Sequence, residues 1–153
     1  MFSVIFPGQG SQSVGMAKEL HDNFAYVKDL FKQADDVLGY SISKIILEGP
    51  KEDLDLTENT QPAIFLTSYS IFEMIKKESN FNLSDAKYFA GHSLGEYSAL
   101  ATSGSLDFKN AIRLLNQRGK AMQTAVPKGT GGMVAVLGVE INEINHLLEE
   151  NQN

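Results

Sequence analysis

A serine between two glycines is the residue in this sequence best suited to nucleophilic chemistry. Residues 91–95 read Gly-His-Ser-Leu-Gly and match the pattern G-x-S-x-G, with Ser93 at its centre. In that pattern a sharp turn from a strand into a helix strains the serine backbone and exposes its hydroxyl. The N–H of Leu94, at the start of the helix, could then face a developing oxyanion. The pattern alone leaves an ordinary glycine-rich turn open as the alternative.

The three histidines offer no convincing general base for this serine. His92 is its neighbour in the chain, and the side chains of adjacent residues in such a turn point in different directions. His21 lies in a helical stretch near the amino terminus, and His146 lies among charged residues near the carboxyl terminus. We expect surface or capping roles for the last two. The sequence therefore supplies a nucleophile and lacks an evident base.

A second glycine-rich segment, Gly8–Ser13, follows an apolar stretch at the amino terminus. It differs from a dinucleotide-binding loop because the third glycine is missing, and because a helical pattern around Asp29–Asp36 replaces the expected second strand. We expect its backbone amides to face a neighbouring active site, with Gln9 and Gln12 as further side-chain donors.

An arginine falls on the apolar side of a predicted helix. On a helical wheel, Arg118 lies within the face formed by apolar residues such as Ile112 and Leu115. A guanidinium there needs a partner. It could form a structural salt bridge or extend to solvent, or it could receive a substrate carboxylate.

The remaining pattern predicts the elements that position these residues. Strands are predicted at Phe2–Phe6, 88–90 and Met133–Leu137. Helices are predicted from about Phe24 to Gly39, at Ser43–Leu47, from near Pro62 to Lys77, at Glu96–Thr102, from Asp107 to about Ala125, and from Ile141 onward. This alternation predicts an α/β fold with a mainly parallel sheet.

Composition restricts the class of protein. The chain has 153 residues, a formal charge of −6 and no cysteine. The acidic balance argues against non-specific binding to nucleic acid or anionic membranes, and no apolar run is long enough to cross a membrane. The absence of cysteine excludes disulfides and thiolate metal sites. We expect a cytoplasmic protein with no metal or cofactor.

Three segments together resemble the malonyl-CoA:acyl carrier protein transacylase family, which includes the acyltransferase domains of fatty-acid and polyketide synthases. The segments are Phe6–Gln12, Gly91–Glu96 and Gln117–Gly119, and they match in order and spacing. Thr60–Ala63 and Gly132–Val136 are also similar to family segments. The resemblance covers essentially the whole chain.

The resemblance implies a role for each site residue. Ser93 would take the malonyl group from malonyl-CoA as an ester, and Gln9 and Leu94 would supply N–H groups to the oxyanion. Arg118 would pair with the malonyl carboxylate, and His92 would line the pocket. The acyl group would then pass to the phosphopantetheine thiol of acyl carrier protein, in ping-pong fashion.

The resemblance also implies an incomplete fold. Residues 1–126 would form the first part of an α/β-hydrolase-like subdomain with helices on both faces of a parallel sheet, and residues 127–132 would be a linker. Residues 133–153 would be the first strand and helix of a ferredoxin-like subdomain. The family's catalytic histidine comes later, so we expect this chain alone to be inactive and to need a C-terminal half as partner.

Three other kinds of function remain as alternatives. A serine esterase of the α/β-hydrolase type shares the serine turn but gives no reason for Arg118. A non-catalytic split half or remnant would bind only acyl carrier protein or coenzyme A. A nucleotide-binding module has weaker support, because the Gly8–Ser13 segment departs from that pattern.

Overall fold

Two parallel strands form a sheet in this structure, a computed structural model that describes residues 2–126 and 136–151. Strand β1 (Phe2–Phe6) pairs with β2 (Ala86–Gly91), and Phe6 lies opposite Gly91 at the carboxyl ends. Because the strands run in the same direction, the turns that follow them lie at the same edge of the sheet. The glycine-rich loop and the serine turn are therefore neighbours.

Eight α-helices are present in the described ranges. They are α1 (Lys18–Asn23), α2 (Ala25–Leu38), α3 (Ile42–Glu48), α4 (Lys51–Leu54), α5 (Thr57–Glu78), α6 (Gly95–Thr102), α7 (Phe108–Ala125) and α8 (Ile141–Glu150), with a short 3₁₀ turn at Leu83–Asp85. The helix-rich chain with its parallel sheet confirms the predicted α/β class.

The core has two parts. The larger part joins α2, α5 and α7 through fully buried side chains that include Phe31, Phe65 and Leu115. The smaller part packs α5 and α6 against one face of the sheet, through Phe6, Phe72, Leu83 and Ala99. The other face of the sheet carries Ile5 and Tyr88, whose side chains are 75% and 59% exposed. Within the described residues, the helices thus cover one sheet face.

Most predicted elements are present where the sequence placed them. Helix α2 ends at Gly39, whose φ of 75° is left-handed and suits a glycine C-cap. Helix α7 begins after Asp107, whose side chain accepts a hydrogen bond from the Asn110 N–H over 3.0 Å. The sequence prediction gave no bounds for three helical segments, namely α1, α4 and the first turn of α5. They lack a clear apolar period.

The prediction that a helix opens near Pro62 is wrong, because α5 begins five residues earlier at Thr57 and contains the proline. Proline has no N–H, so it leaves the carbonyl four residues before it without a helical partner. That carbonyl belongs to Glu58, and it accepts a hydrogen bond from Asn116 Nδ2 on α7 over 3.0 Å. The neighbouring helix thus supplies the bond that the proline removes.

The carboxyl-terminal predictions can be followed only in part. The predicted linker at 127–132 and the first three residues of the predicted strand at Met133–Leu137 lie outside the described residues. Val136 and Leu137 are described and belong to no strand, whereas α8 agrees with the predicted helix. The domain boundaries therefore stay predictions. Among the helices described, none is long and apolar enough to cross a membrane.

Candidate active site

The turn between β2 and α6 holds Ser93 in an unusual backbone conformation. Its φ is 55°, in the left-handed region that residues other than glycine seldom enter. The turn is closed by hydrogen bonds from the Gly95 N–H to the His92 carbonyl (2.9 Å) and from the Glu96 N–H to the Ser93 carbonyl (3.2 Å). The side chain of Ser93 is exposed. The strained, exposed serine predicted from the sequence is therefore present.

The two glycines of the turn are required by close packing. A Cβ atom on Gly91 would lie 1.9 Å from the carbonyl carbon of Gly95, and a Cβ atom on Gly95 would lie 2.6 Å from the Phe6 carbonyl oxygen. Both distances are far below van der Waals contact, and both neighbours are backbone atoms that cannot rotate away. The glycines let α6 begin directly against the ends of both strands.

Arg118 reaches this turn from α7. Its side chain is half-buried, and its Nη2 atom donates a hydrogen bond to Ser93 Oγ over 3.1 Å. Its Nη1 atom donates to Gln61 Oε1 over 2.7 Å. Among residues 2–126 and 136–151, no carboxylate lies within ion-pair distance of this guanidinium. The predicted alternative of a structural salt bridge is therefore not seen in the described part of the chain.

Gly119 explains how α7 comes close enough to place Arg118. A Cβ atom at Gly119 would lie 2.5 Å from the Glu58 Cα atom and 2.5 Å from the Thr57 carbonyl oxygen. The backbones of α5 and α7 are thus in direct contact at this point. This crossing places Arg118 beside Gln61, one turn further along α5.

The two predicted oxyanion donors lie on the loops at the same sheet edge. Leu94 has a fully buried side chain, which fixes the position of its backbone at the start of α6. Gln9 lies on the loop after β1 and is exposed. Where the chain is described, no acceptor is found for the N–H of either residue. Their role as oxyanion donors stays a prediction.

Gln12 has a different position from the one expected. Its Nε2 atom donates to Asp55 Oδ1 over 2.9 Å, and its Oε1 atom accepts from the Gly10 N–H over 2.8 Å. The Gly15 N–H donates to the Ile46 carbonyl over 2.8 Å. Gln12 therefore joins the glycine-rich loop to the segment after α4, and both ends of its amide are engaged there.

The histidines fit the expectation that none of them is a base for Ser93. A Cβ atom on Gly8 would lie 2.4 Å from His92 Nδ1, so the His92 ring packs over that glycine. His21 Nδ1 lies 3.2 Å from Asp22, and His146 Nδ1 lies 3.4 Å from Glu150. Among the described residues, no hydrogen bond joins any of the three histidine rings to Ser93. The side chain that bonds the Ser93 hydroxyl there is that of Arg118.

Two cavities beside the sheet are not lined by the serine and arginine of this site. A groove of about 380 Å³ runs between β1 and α5 and is mainly apolar, with Val4, Ile64 and Ile71 in its walls. A cavity of about 600 Å³ lies near the end of α5, beside Phe81 and Phe89. Neither is lined by Ser93 or Arg118. Among the described residues, no cluster of three histidine, aspartate or glutamate side chains could hold a metal ion.

The sequence did not predict that Gln61 contacts Arg118. Gln61 lies in the segment Thr60–Ala63, whose resemblance to the family implies no role for it. Gln61 is fully buried on α5, beside the buried Thr60, and contacts Arg118 directly. The signal that could have found it is a polar amide immediately before the apolar stretch 62–66, because a buried amide needs a hydrogen-bond partner.

Comparison with known proteins gives the class to which this fold and site belong. Residues 3–149 match the model of the acyl transferase domain, so the chain belongs to that family. It is 48% identical over 139 residues to a malonyl CoA-acyl carrier protein transacylase of Haemophilus influenzae and 44% identical over 146 residues to one of Bacillus subtilis. These matches cover 91% and 95% of this chain, and 44% and 45% of the relatives.

Solved structures give the same result. The chain aligns with a malonyl-transacylase in complex with a type II PKS acyl-carrier protein at a TM-score of 0.86 and 44% identity. It aligns with an acyl carrier protein S-malonyltransferase of Vibrio cholerae at a TM-score of 0.84 and 44% identity. Both alignments cover 97% of this chain, and they cover 47% and 48% of those structures. The chain spans a little under half the length of the relatives that it matches.

Proposed function

We propose that this chain carries the nucleophile and the carboxylate receptor of an enzyme that moves a malonyl group from malonyl-CoA to the phosphopantetheine thiol of acyl carrier protein. The observation that carries the proposal is the 3.1 Å hydrogen bond between Arg118 Nη2 and Ser93 Oγ. In a malonyl thioester a single methylene separates the carboxylate from the reacting carbonyl. A substrate of that shape needs a cation next to the nucleophile.

The first half-reaction forms an ester on the serine. Ser93 Oγ attacks the thioester carbonyl, and the N–H groups of Gln9 and Leu94 donate to the resulting oxyanion. The C–S bond then breaks, and coenzyme A leaves as the thiol with the proton that the serine has lost. Arg118 holds the malonyl carboxylate, and His92 lines the pocket. In the second half-reaction the phosphopantetheine thiol attacks the ester and regenerates the serine.

The general base for this chemistry is not among the described neighbours of Ser93, because no described histidine contacts it. We therefore propose that residues 1–153 on their own turn over very slowly. Loss of one member of a nucleophile–base pair lowers the rate by about 10⁴-fold or more. The base would come from the part of such enzymes that this chain does not match. A cytoplasmic location is also proposed and agrees with the absence of cysteine.

The test is a complementation assay. The complementing segment is the remainder of the Bacillus subtilis relative, outside its match to this chain. We would measure transfer from labelled malonyl-CoA to holo acyl carrier protein by this chain alone, by the complementing segment alone, and by both after their co-elution is verified. We expect transfer only by the pair. Robust transfer by this chain alone, or hydrolysis of neutral esters in preference to malonyl transfer, would contradict the proposal.

A further inference from the structure

Gln61 is the side chain that fixes the direction of the Arg118 guanidinium. It is fully buried on α5, and its Oε1 atom accepts a hydrogen bond from Arg118 Nη1 over 2.7 Å. The other terminal nitrogen, Nη2, is thereby directed to Ser93 Oγ. The planar guanidinium is held at both ends, so its orientation is set before a substrate arrives.

The amide can take only one orientation in this place. A guanidinium has donors and no acceptor, so the oxygen of Gln61 must face Arg118. Its Nε2 atom then points the other way and donates to Met122 Sδ over 3.2 Å. Both ends of the amide are occupied, and the side chain has little freedom to turn.

The backbone that carries Gln61 is also held firmly. Next to it, Thr60 Oγ1 donates to the Leu54 carbonyl over 2.6 Å, which ties this turn of α5 to the end of α4. Asn116 Nδ2 bonds the Glu58 carbonyl from α7. The contact between Gln61 and Arg118 is therefore part of a rigid crossing of α5 and α7.

The neutral charge of Gln61 matters as much as its position. A carboxylate at this distance would form a partly buried ion pair with Arg118 and cancel most of its attraction for an anionic substrate. In the part of the chain that the structure describes, no carboxylate takes that place. An amide gives the same hydrogen bond and leaves the positive charge for the substrate.

We propose that Gln61 is a positioning residue that holds Arg118 beside Ser93 without neutralising it, and so makes the site selective for acyl groups that end in a carboxylate. This inference rests on the proposed function, since it takes the malonyl group as the substrate of the site. It predicts that the charge at position 61 controls the preference between malonyl-CoA and acetyl-CoA.

The test compares dissociation constants for malonyl-CoA and acetyl-CoA by isothermal titration calorimetry, in the Ser93→Ala background so that no acyl transfer occurs. We expect the parent to prefer malonyl-CoA, and Gln61→Glu to lower that preference by at least about tenfold, as loss of a charged contact does. Gln61→Met, which keeps the volume and removes the acceptor, should lower it about threefold to tenfold. Gln123→Glu adds the same charge on α7, at a position that does not bond Arg118, and should leave the preference unchanged.

If the role of Gln61 were purely structural, its substitution would weaken the binding of malonyl-CoA and acetyl-CoA equally. An unchanged preference in Gln61→Glu and Gln61→Met, or no preference in the parent, would overturn the inference. If Gln61→Glu does not fold, as judged by its circular dichroism, Gln61→Met decides the question. Failure of the proposed function is distinguishable by a separate measurement on the chain that keeps Ser93, together with the complementing segment. There it would show as the absence of a malonyl ester on Ser93, while the binding preference in the Ser93→Ala background persists.

Discussion

The Arg118 guanidinium donates a hydrogen bond to the Ser93 hydroxyl over 3.1 Å, from a helix that begins well after the serine turn. The two residues belong to separate elements, and each is placed by glycines that let backbones touch. Gly91 and Gly95 seat the serine turn against the strands, and Gly119 seats α7 against α5. A nucleophile next to a cation is the geometry that a short acyl group with a terminal carboxylate requires.

The first prediction concerns the charge of Arg118. In Arg118→Gln, we expect malonyl loading of Ser93 to fall at least about tenfold relative to acetyl loading, because the substrate carboxylate loses its partner. Loading is measured by mass spectrometry with the complementing segment present. Arg113→Gln removes a charge from an exposed position on the same helix and serves as the control. Equal loss of malonyl and acetyl loading in Arg118→Gln would contradict the role of carboxylate receptor.

The second prediction concerns the close approach at Gly91. Gly91→Ala places a Cβ atom on the backbone of Gly95, so the turn must shift. Overpacking of this kind costs about 1–3 kcal/mol or more, and the Ser93 hydroxyl should move away from Arg118. Chemical unfolding measures the stability and malonyl loading measures the site.

Gly104→Ala is the matched control for that variant. Gly104 has a φ of 82° and no neighbour within 4 Å of its Cβ position, so alanine there meets only backbone strain. We expect a loss of about 1–2 kcal/mol and unchanged loading per folded molecule. If Gly91→Ala lost no more stability than this control and kept its malonyl loading, close packing would not explain why position 91 is a glycine.

The third prediction concerns the carbonyl that Pro62 leaves without a helical partner. Asn116→Ala removes the donor to the Glu58 carbonyl and should lower the free energy of unfolding by about 1–3 kcal/mol. In the Pro62→Ala background, an alanine N–H can bond the same carbonyl, so Asn116→Ala should cost less there. Denaturant unfolding of the four proteins in this double-mutant cycle gives the coupling free energy. Additive costs would show that Asn116 does not replace the missing helical bond.

The fourth prediction concerns the stability in alkali. Burial and the nearby Glu58 carboxylate raise the pKa of Tyr40 from 10.0 to about 12. Between these values the unfolded chain loses the phenol proton while the folded chain keeps it, so this contribution to stability is complete below pH 10 and is lost as the pH rises toward about 12.

The check compares Tyr40→Phe with the unaltered chain by urea unfolding across that pH range. Tyr40→Phe removes the titrating group, so its free energy of unfolding should fall less steeply with pH. The pKa values of Tyr26 and Tyr69 are also raised, mainly by burial; both residues remain in the variant, so the difference in slope isolates Tyr40. Parallel slopes would contradict the shifted pKa.

Local patterns predicted the elements whose signals are contained in a short stretch of sequence. Gly39 ends α2 and Asp107 caps α7 because each acts on its own helix. The serine turn was predicted for the same reason, since the glycine spacing and the strand-to-helix change lie within a few residues. The strained φ of Ser93 agrees with that prediction.

Features that depend on contacts between distant segments were not predictable in the same way. Pro62 indicated a helix start, and the structure contradicts this because Asn116, far along the chain, satisfies the freed carbonyl. The helical wheel placed Arg118 on an apolar face without saying what it meets. Its contacts with Gln61 and Ser93 arise from the crossing of α5 and α7 at Gly119.

The measurement that tests the account most directly is the intact mass of this chain after incubation with malonyl-CoA, together with the complementing segment. Ser93→Ala is compared with Ser103→Ala, which removes an exposed hydroxyl just after α6. We predict a mass increase of one malonyl group in the unaltered chain and in Ser103→Ala, and no increase in Ser93→Ala. A malonyl group that persists in Ser93→Ala, or its absence from the unaltered chain, would contradict the central claim that Ser93 carries the acyl group.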